Sequence, residues 1–254
     1  MDNEAKRRTS ELFRGVSSRL GDTDPEWVDI VANFSQSETT SVNKLSEKEQ
    51  MLCILSALLG CQGMGEFQNM LHAALNRGID PTAIKETIYQ ATAYLGIGRI
   101  YDFLIAANEI MEQHGVKLPL APQAATDETT RFDAGLAKQV ALFGPGMAKR
   151  QTEGPVLRRN VNRWLADNCF GDYYTRAGLS DPEREMITFC LILAQGGCEN
   201  QLRGHTAGNF GVGNDKEKLY SVVEQCMPYI GYPRTLNAMN IIDEVAAKVE
   251  SQKN

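Results

Sequence analysis

The chain of 254 residues is long enough for two units of about 120 residues, each able to bury a core of its own. Its 43% hydrophobic and 23% charged residues are ordinary for a globular protein, and a net charge of -6 argues against nucleic acid or an acidic membrane as a partner. The opening segment MDNEAKRRTSELFRG has no apolar signal region and no later stretch approaches about 18 uninterrupted apolar residues, so we expect a cytoplasmic protein.

The first part of the chain has the pattern of a helical unit. Residues 1–44 are typical of one or two short helices, the second of which opens just after Asp24. Ser46 and Glu49 have the spacing of a capping box, which predicts the start of a nearly all-apolar, central helix. The predicted helices from this point are 51–59, 66–77, 81–94 and 99–113.

Residues 118–130 are rich in Pro, Ala and Thr without any period, which is the composition of a linker. We therefore predict a first domain over 1–117 and a second over 131–254. Ser180 and Glu183 form a second capping box. The second domain is predicted to contain helices at 131–143, 156–166, 186–194, 199–209, 215–229 and 233–250, with a turn over 169–179. No segment shows a sustained strand alternation, so the predicted fold class is all-α.

A histidine-centred segment occurs twice, as QNMLHAALNRGID at 68–80 and QLRGHTAGNFGVG at 201–213. Gln68 and His72 of the first copy answer Gln201 and His205 of the second, each at a separation of 133 residues. The capping boxes repeat at 134 residues and a tyrosine near the end of the following helix repeats at 135. Self-similarity of this kind predicts two tandem copies of one helical unit.

Cysteine is sparse in this chain and is not arranged as CxxC or as a Cys/His zinc pattern. The six cysteines are Cys53, Cys61, Cys169, Cys190, Cys198 and Cys226. We expect reduced and mostly buried thiols and no metal site.

The second unit resembles gamma-carboxymuconolactone decarboxylase over essentially its whole length. Four segments carry the resemblance in order: RFDAGLAKQVALFG, FGDYYTRAGL, REMITFCLILAQGG and YIGYPRTLNAMNIIDEV. The first unit is similar to a shorter version of the same pattern, over about 45–113. The resemblance implies two tandem helical domains of the carboxymuconolactone decarboxylase and AhpD-like type, within the wider family that includes AhpD-type peroxidase partners. It also implies a cofactor-free carboxy-lyase of aromatic compound degradation. Because the family forms rings of six single units, a two-unit chain is expected to form a homotrimer of pseudo-hexameric shape.

The repeated helix departs from the family pattern at the histidine. Alignment on the shared glycine puts Met70 and Arg203 where the decarboxylases have that residue, and puts His72 and His205 where they have an arginine. The resemblance therefore implies a related acid rather than 4-carboxymuconolactone itself. Of the AhpD pattern CxxCxxxH, the second copy keeps Cys198 and His205, with Gln201 in place of the second cysteine. Dithiol exchange needs two sulfurs and is not expected.

The residues themselves indicate acid/base chemistry. Cys198, Gln201 and His205 fall on one face of a helix, because they are spaced by three and four positions. An imidazole can deliver or accept a proton at neutral pH, and Gln201 could orient it or hold a substrate carbonyl. Asp172 could orient His205 or act as a second acid/base group. His72 and Gln68 are the equivalent candidates in the first copy.

A small carboxylate or lactone is the expected substrate. Decarboxylation needs no metal or cofactor where the substrate supplies its own electron sink, provided that the pocket is poor in water and stabilises the dienolate. The candidate carboxylate-binding residues are Arg203, Arg176 and Arg234, since guanidinium groups pair with carboxylates through two N–H donors.

Structural roles for these residues stay open. His205 could be a satisfied core or interface histidine, Cys198 a small buried apolar residue, and Asp172 a cap. Arg176 and Arg234 could form ion pairs. Two other functions also remain: a redox protein using Cys198 and His205 as a single-thiol peroxidase, and a ligand-binding helical assembly without catalysis.

Overall fold

The computed structural model describes residues 1–16 and 18–251, and within those ranges the chain is helical with no strand, as the all-α prediction requires. The helices of the first half are α1 Asn3–Leu12, α2 Leu20–Thr23, α3 Pro25–Asn33, α4 Thr39–Val42, α5 Glu47–Cys61, α6 Met64–Asn76, α7 Pro81–Leu95 and α8 Ile97–Gln113. Those of the second half are α9 Arg131–Phe143, α10 Gly146–Thr152, α11 Arg159–Trp164, α12 Asp181–Gln195, α13 Glu199–Gly211, α14 Lys216–Ile230 and α15 Tyr232–Ser251.

Both capping boxes are present and start the two central helices. The Ser46 amide donates to Glu49 Oε2 at 2.9 Å, and the Glu49 amide donates to Ser46 Oγ at 3.3 Å. In the second copy, the amide and hydroxyl of Ser180 donate to Glu183 Oε2 at 2.8 and 2.9 Å. Each box satisfies amides of a first helical turn, so α5 and α12 begin ahead of their apolar runs.

Helices α5 and α12 pack against each other at the centre of the molecule. The contact is close at Gly60, where a Cβ would lie 2.7 Å from both the Leu191 carbonyl oxygen and the Ala194 Cβ. Buried side chains from both halves, such as Leu55 and Ile187, belong to one continuous apolar core. The units predicted at 1–117 and 131–254 therefore meet across a shared core, and their limits stay a prediction.

The segment predicted as a linker, 118–130, is held against the second half. The Ala177 amide donates to the Gln123 carbonyl at 2.9 Å, and the Thr126 hydroxyl donates to the Gly171 carbonyl at 2.8 Å. These hydrogen bonds fix the connection between the halves against the second half of the chain.

The helix predicted at 156–166 is helical, as a 3-10 turn followed by the short α11 and the start of a π-helical segment, Leu165–Tyr174. The turn predicted over 169–179 was wrong in its first part, because the π-helical segment continues to Tyr174. This segment crosses α9 at two glycines: a Cβ on Gly135 would lie 2.5 Å from the Gly171 nitrogen, and one on Gly171 would lie 2.3 Å from the Arg131 carbonyl oxygen. Backbone contact at this crossing lets the π segment bury Phe170 and Tyr174.

Within residues 1–16 and 18–251, none of the helices combines the length and apolar character needed to cross a membrane.

Candidate functional site

A cavity of about 630 Å³ lies where the first half meets the second. Helices α9, α10, α12 and α13 and the π segment supply most of its wall, and the end of α7 supplies Ala93 and Tyr94. The lining is more apolar than polar, with Phe143, Phe170 and Ile192 among the apolar side chains. It therefore has the character of a small-molecule site: an apolar pocket with a few polar groups.

The structure brings Cys198, Gln201 and His205 together, as their spacing on one helix face predicts. Gln201 and His205 line the cavity from α13, and Cys198 lines it from the N-cap position just before that helix. His205 is buried, Cys198 is half-buried, and Gln201 is exposed at the surface end. The Cys198 sulfur also accepts a hydrogen bond from Gln195 Nε2 at 3.0 Å.

The partner of His205 is Glu185, on the central helix α12. His205 Nδ1 lies 2.9 Å from Glu185 Oε2, and the Glu185 side chain is fully buried. Gly208, one turn after His205, makes room for this contact, because a Cβ there would lie 2.4 Å from Glu185 Oε2. With Nδ1 held by the carboxylate, Nε2 is the ring nitrogen left for a molecule in the cavity.

Sequence reasoning missed Glu185, although a signal for it exists. It is a carboxylate inside an otherwise apolar helix, and the repeat has Met51 in the corresponding position. Asp172, which we expected to orient His205, lies elsewhere. It pairs with Arg131 Nη1 at 2.8 Å and accepts from Asn168 at 3.0 Å, because the glycine crossing sets it beside the first residue of α9.

The three arginines suggested by the sequence do not line this cavity. Arg203 lies two positions from His205 on another face of α13 and pairs with Glu244 on α15 at 2.8 Å. Arg234 donates to the Ala194 carbonyl beside Gly196. Arg176 Nε donates to both carboxylate oxygens of Glu86, at 3.0 and 2.9 Å, and lines a different cavity.

Arg150, on the short helix α10, is the cation at this site. Among the described residues that line the cavity it is the only arginine or lysine. It is exposed, and within residues 1–16 and 18–251 its guanidinium has no ion-pair partner. No sequence pattern singles it out, because Lys149 and Arg150 together are typical of a solvated surface.

Tyr94, from the first half of the chain, lines the cavity that the second half mainly forms. Its ring is edge-on to the His205 imidazole, with centroids 5.5 Å apart, and its hydroxyl donates to the Tyr174 hydroxyl at 2.9 Å. The Tyr174 hydroxyl is 2.5 Å from that of Thr188. Burial raises the pKa of Tyr94 well above its usual value, so this phenol stays protonated.

Two further polar groups face the same space. Gln139 is 2% exposed, and its Oε1 has no hydrogen-bond partner within the described ranges. Cys169 lies 3.8 Å from the Tyr94 hydroxyl, and burial raises the pKa of its thiol to about 12. Cys169 is therefore a neutral thiol at physiological pH, and Gln139 has an unused acceptor.

The histidine of the first copy has different neighbours. His72 Nδ1 lies 2.9 Å from Nε2 of His114, an exposed residue at the end of α8. Burial and the neighbouring His114 lower the pKa of His72. Gln68 is exposed, and the position of Glu185 is taken by the buried Met51. Among the described residues, no carboxylate is paired with the histidine of the first copy.

The comparisons with known proteins agree with this architecture. The model of the carboxymuconolactone decarboxylase family matches residues 25–109 and 159–244, one segment in each half and together about two thirds of the chain. The chain belongs to the carboxymuconolactone decarboxylase family. A 4-carboxymuconolactone decarboxylase of Acinetobacter baylyi is 26% identical over 120 residues, which are 47% of this chain and 89% of that protein.

A solved structure shares the fold along nearly the whole chain. It is described as a gamma-carboxymuconolactone decarboxylase subunit of Burkholderia xenovorans LB400, and it superposes with a TM-score of 0.56 at 19% identity. The match covers 98% of this chain and 100% of that one. The tandem of two family units is thus the organisation of this chain.

Proposed function

We propose that this family member is a cofactor-free decarboxylase or lactone-processing enzyme acting on a small organic acid, with one working site per chain. The observation that supports this proposal above the others is the His205 imidazole, fixed by the buried Glu185 in the wall of a cavity that has Arg150 at its surface. A positioned imidazole, a cation for a carboxylate and an apolar pocket are the parts that such a reaction needs.

In the proposed reaction Arg150 pairs with an anionic group of the incoming acid. Loss of carbon dioxide breaks the bond between the carboxyl carbon and its neighbour, and the electron pair moves into the adjacent lactone or 3-oxo carbonyl as an enolate. The imidazolium of His205 then returns a proton to that carbon from Nε2. Glu185 holds the ring through Nδ1 and balances its positive charge, and a water proton restores the imidazolium.

The other polar groups of the cavity support this path. The Gln139 amide is a suitable hydrogen-bond donor for the developing enolate oxygen, and Tyr94, whose proton is given to Tyr174, keeps its ring edge-on to His205. The aromatic rings of Phe143 and Phe170 exclude water, which strengthens each charge interaction inside the cavity. Gln201, at the exposed end, is assigned to substrate binding.

We also propose that chains assemble as a closed homotrimer. Helix α8 exposes Ile97, Tyr101 and Ile105 in one stripe, and α15 exposes Tyr232 and Leu236 at the corresponding repeat positions. Matching apolar stripes in both halves suit a ring in which each unit meets its neighbours alike. Light scattering on the purified chain should give three times the mass of one chain, and a monomer would contradict the assembly.

The test of the activity is carbon dioxide release from 4-carboxymuconolactone and from related lactone and 3-oxo acids. We expect release from at least one of these acids without added metal or cofactor. Arg150→Gln should raise KM about tenfold, because one charge-assisted contact is lost. Lys149→Gln is the matched control: it removes the adjacent charge of the same helix, outside the cavity, and should leave KM unchanged. No release from any acid would overturn the proposal.

A second candidate, a single-thiol peroxidase, is favoured by one contact: the N–H of Gln195 directed at the half-buried Cys198 sulfur. The Cys198 thiolate would attack a peroxide oxygen, breaking the O–O bond to give a sulfenic acid and, after protonation, an alcohol or water. Two equivalents of a small thiol would then regenerate Cys198 through a mixed disulfide, releasing water and the disulfide of the small thiol. Fast consumption of hydrogen peroxide by the wild type, lost in Cys198→Ser, together with no carbon dioxide release, would favour this function instead.

A further inference from the structure

A second cavity, of about 480 Å³, lies on another side of α7 and shares none of its described lining residues with the His205 cavity. Helices α7 and α8 form its floor, residues 118–123 form one wall, and Arg176 closes it from the second half. The wall is fixed in place by the hydrogen bond from the Ala177 amide to the Gln123 carbonyl. The cavity is therefore built by the connection between the halves.

Two cations face this cavity. Lys85 is 7% exposed, and its ammonium donates to Asn108 Oδ1, which leaves two of its three N–H groups for another acceptor. Arg176 gives Nε to Glu86, and the hydrogen bonds of the described residues do not use its two terminal nitrogens. Donors are thus available where both side chains meet the cavity.

The carboxylates nearby do not neutralise these cations. Glu86 is buried and is shared between Arg176 and Arg184, whose Nη2 lies 3.4 Å from Glu86 Oε2. Glu112 also lines the cavity but is exposed to solvent, where water screens its charge. Two arginines therefore share one buried carboxylate, and the carboxylate that acts on Lys85 is the exposed Glu112, so these five charged groups keep a net positive charge.

Most of the remaining lining is apolar. Leu118, Pro119, Leu120, Ala121 and Pro122 form a continuous run along one side. Tyr89 lies on the α7 side, with the Arg176 guanidinium 5.3 Å from its ring centroid. A ligand that fits must combine an anionic head for the cations with an apolar body for this wall.

The other half shows that the repeat does not require this arrangement. At the corresponding positions Lys85 is Tyr220, Glu86 is Ser221 and Arg184 is Gln50. A cavity of about 190 Å³ at the start of α14 is lined by none of these three counterparts, and its lysines are paired, Lys44 with Glu217 and Lys218 with Glu49. Among the described residues, the first copy has this cationic group and the second does not.

We propose that this second cavity binds a small carboxylate with an apolar or aromatic body. The carboxylate oxygens accept from Lys85 Nζ and from the terminal nitrogens of Arg176, and the body of the ligand packs between Tyr89 and the proline wall. The site is separate from the His205 cavity and does not depend on decarboxylase activity.

Calorimetric titration of the full chain with benzoate tests the site, with benzyl alcohol as the uncharged analogue and inorganic phosphate as a compact anion. Benzoate should bind saturably, more tightly than phosphate, and benzyl alcohol at least tenfold more weakly. Lys85→Met should weaken benzoate binding tenfold or more and Lys85→Arg less than threefold. Arg150→Gln, which alters only the His205 cavity, should leave this affinity unchanged.

Crystals soaked in 4-bromobenzoate give a readout that does not rely on a variant that must fold. The bromine should lie beside Tyr89 and the carboxylate beside Lys85. In the titrations, the proposal would be overturned by the absence of saturable benzoate binding or by equal binding of benzyl alcohol or phosphate. It would also be overturned by wild-type affinity in Lys85→Met or by loss of binding in Arg150→Gln. In the crystals, bromine found only in the His205 cavity would overturn it.

Discussion

The two halves place a histidine at the same point of the same repeated helix, and these histidines have different surroundings. His205 is hydrogen-bonded to the buried carboxylate of Glu185 and lines a cavity, whereas His72 is hydrogen-bonded to the exposed His114. The central helices α5 and α12 have the same capping box and length, yet they carry Met51 and Glu185 at equivalent positions. The fold thus repeats its backbone without repeating its chemistry.

Small residues decide whether the carboxylate can reach the ring. Gly208 leaves space for Glu185 beside His205, and its counterpart in the first copy is Leu75, which packs against the apolar core. The tyrosines at the ends of α7 and α14 also differ. Tyr94 is edge-on to His205, while the Tyr229 hydroxyl is 3.8 Å from the Met70 sulfur. The surroundings of His205 are therefore polar, whereas the matching positions of the first copy are apolar.

The largest difference in stability between the halves is expected at the position of Arg184. Arg184→Met should lower the free energy of unfolding by about 3–5 kcal/mol, because it removes the donor to buried Gln90 Oε1 and to two backbone carbonyls, and it takes one of two paired cations from Glu86. Gln50→Met, at the equivalent position of α5, removes a hydrogen bond to the Leu45 carbonyl and should cost about 1 kcal/mol. Chemical denaturation measures both; equal losses would contradict the assignment.

Removing the carboxylate should separate the two copies in activity. Glu185→Gln should lower kcat about tenfold or more, because the His205 ring is held less firmly and its positive charge is no longer balanced by a carboxylate. KM should change little, because the cavity opening is not altered. Met51→Gln makes a change at the matching position of the first half and should leave kcat as in the wild type. Steady-state rates of carbon dioxide release on the best acid of the panel provide the measurement. A kcat in Glu185→Gln equal to that of the wild type would show that Glu185 only packs the core.

The smallest expected effect is a difference in reactivity among the cysteine thiols. Cys61 of the first half and Cys169 of the second both have a thiol pKa raised by burial, the latter to about 12. A raised pKa means less thiolate at a given pH, so both should react slowly below pH 9. Cys198, which is half-buried and lines the cavity, should be the first of the three to be alkylated by iodoacetamide at pH 8. Peptide mass spectrometry measures the order of alkylation. Earlier labelling of Cys169 would mean that its environment is wetter than described.

Local patterns predicted the helices well where the signal is contained in a few neighbouring residues. The two serine and glutamate boxes and the spacing of Cys198, Gln201 and His205 depend on contacts within one or two turns. The π segment could not be predicted in the same way, because it follows from the crossing of Gly135 and Gly171.

The candidate site was predicted in part for the same reason. Its helix face could be predicted from α13 alone, but Glu185, Arg150 and Tyr94 come from three other helices. Their distance from His205 in the sequence conceals their proximity in space. Arg203, by contrast, is near His205 in sequence but turned toward Glu244 by the helical period.

In the proposed reaction only one of the two repeated histidines, His205, does the chemistry. Carbon dioxide release by His205→Asn and His72→Asn, assayed together with the wild type, distinguishes the two copies. We expect His205→Asn to lower kcat about 100-fold or more, as for a lost general acid, and His72→Asn to change it less than about twofold. Equal losses in both variants, or a loss only in His72→Asn, would contradict this assignment.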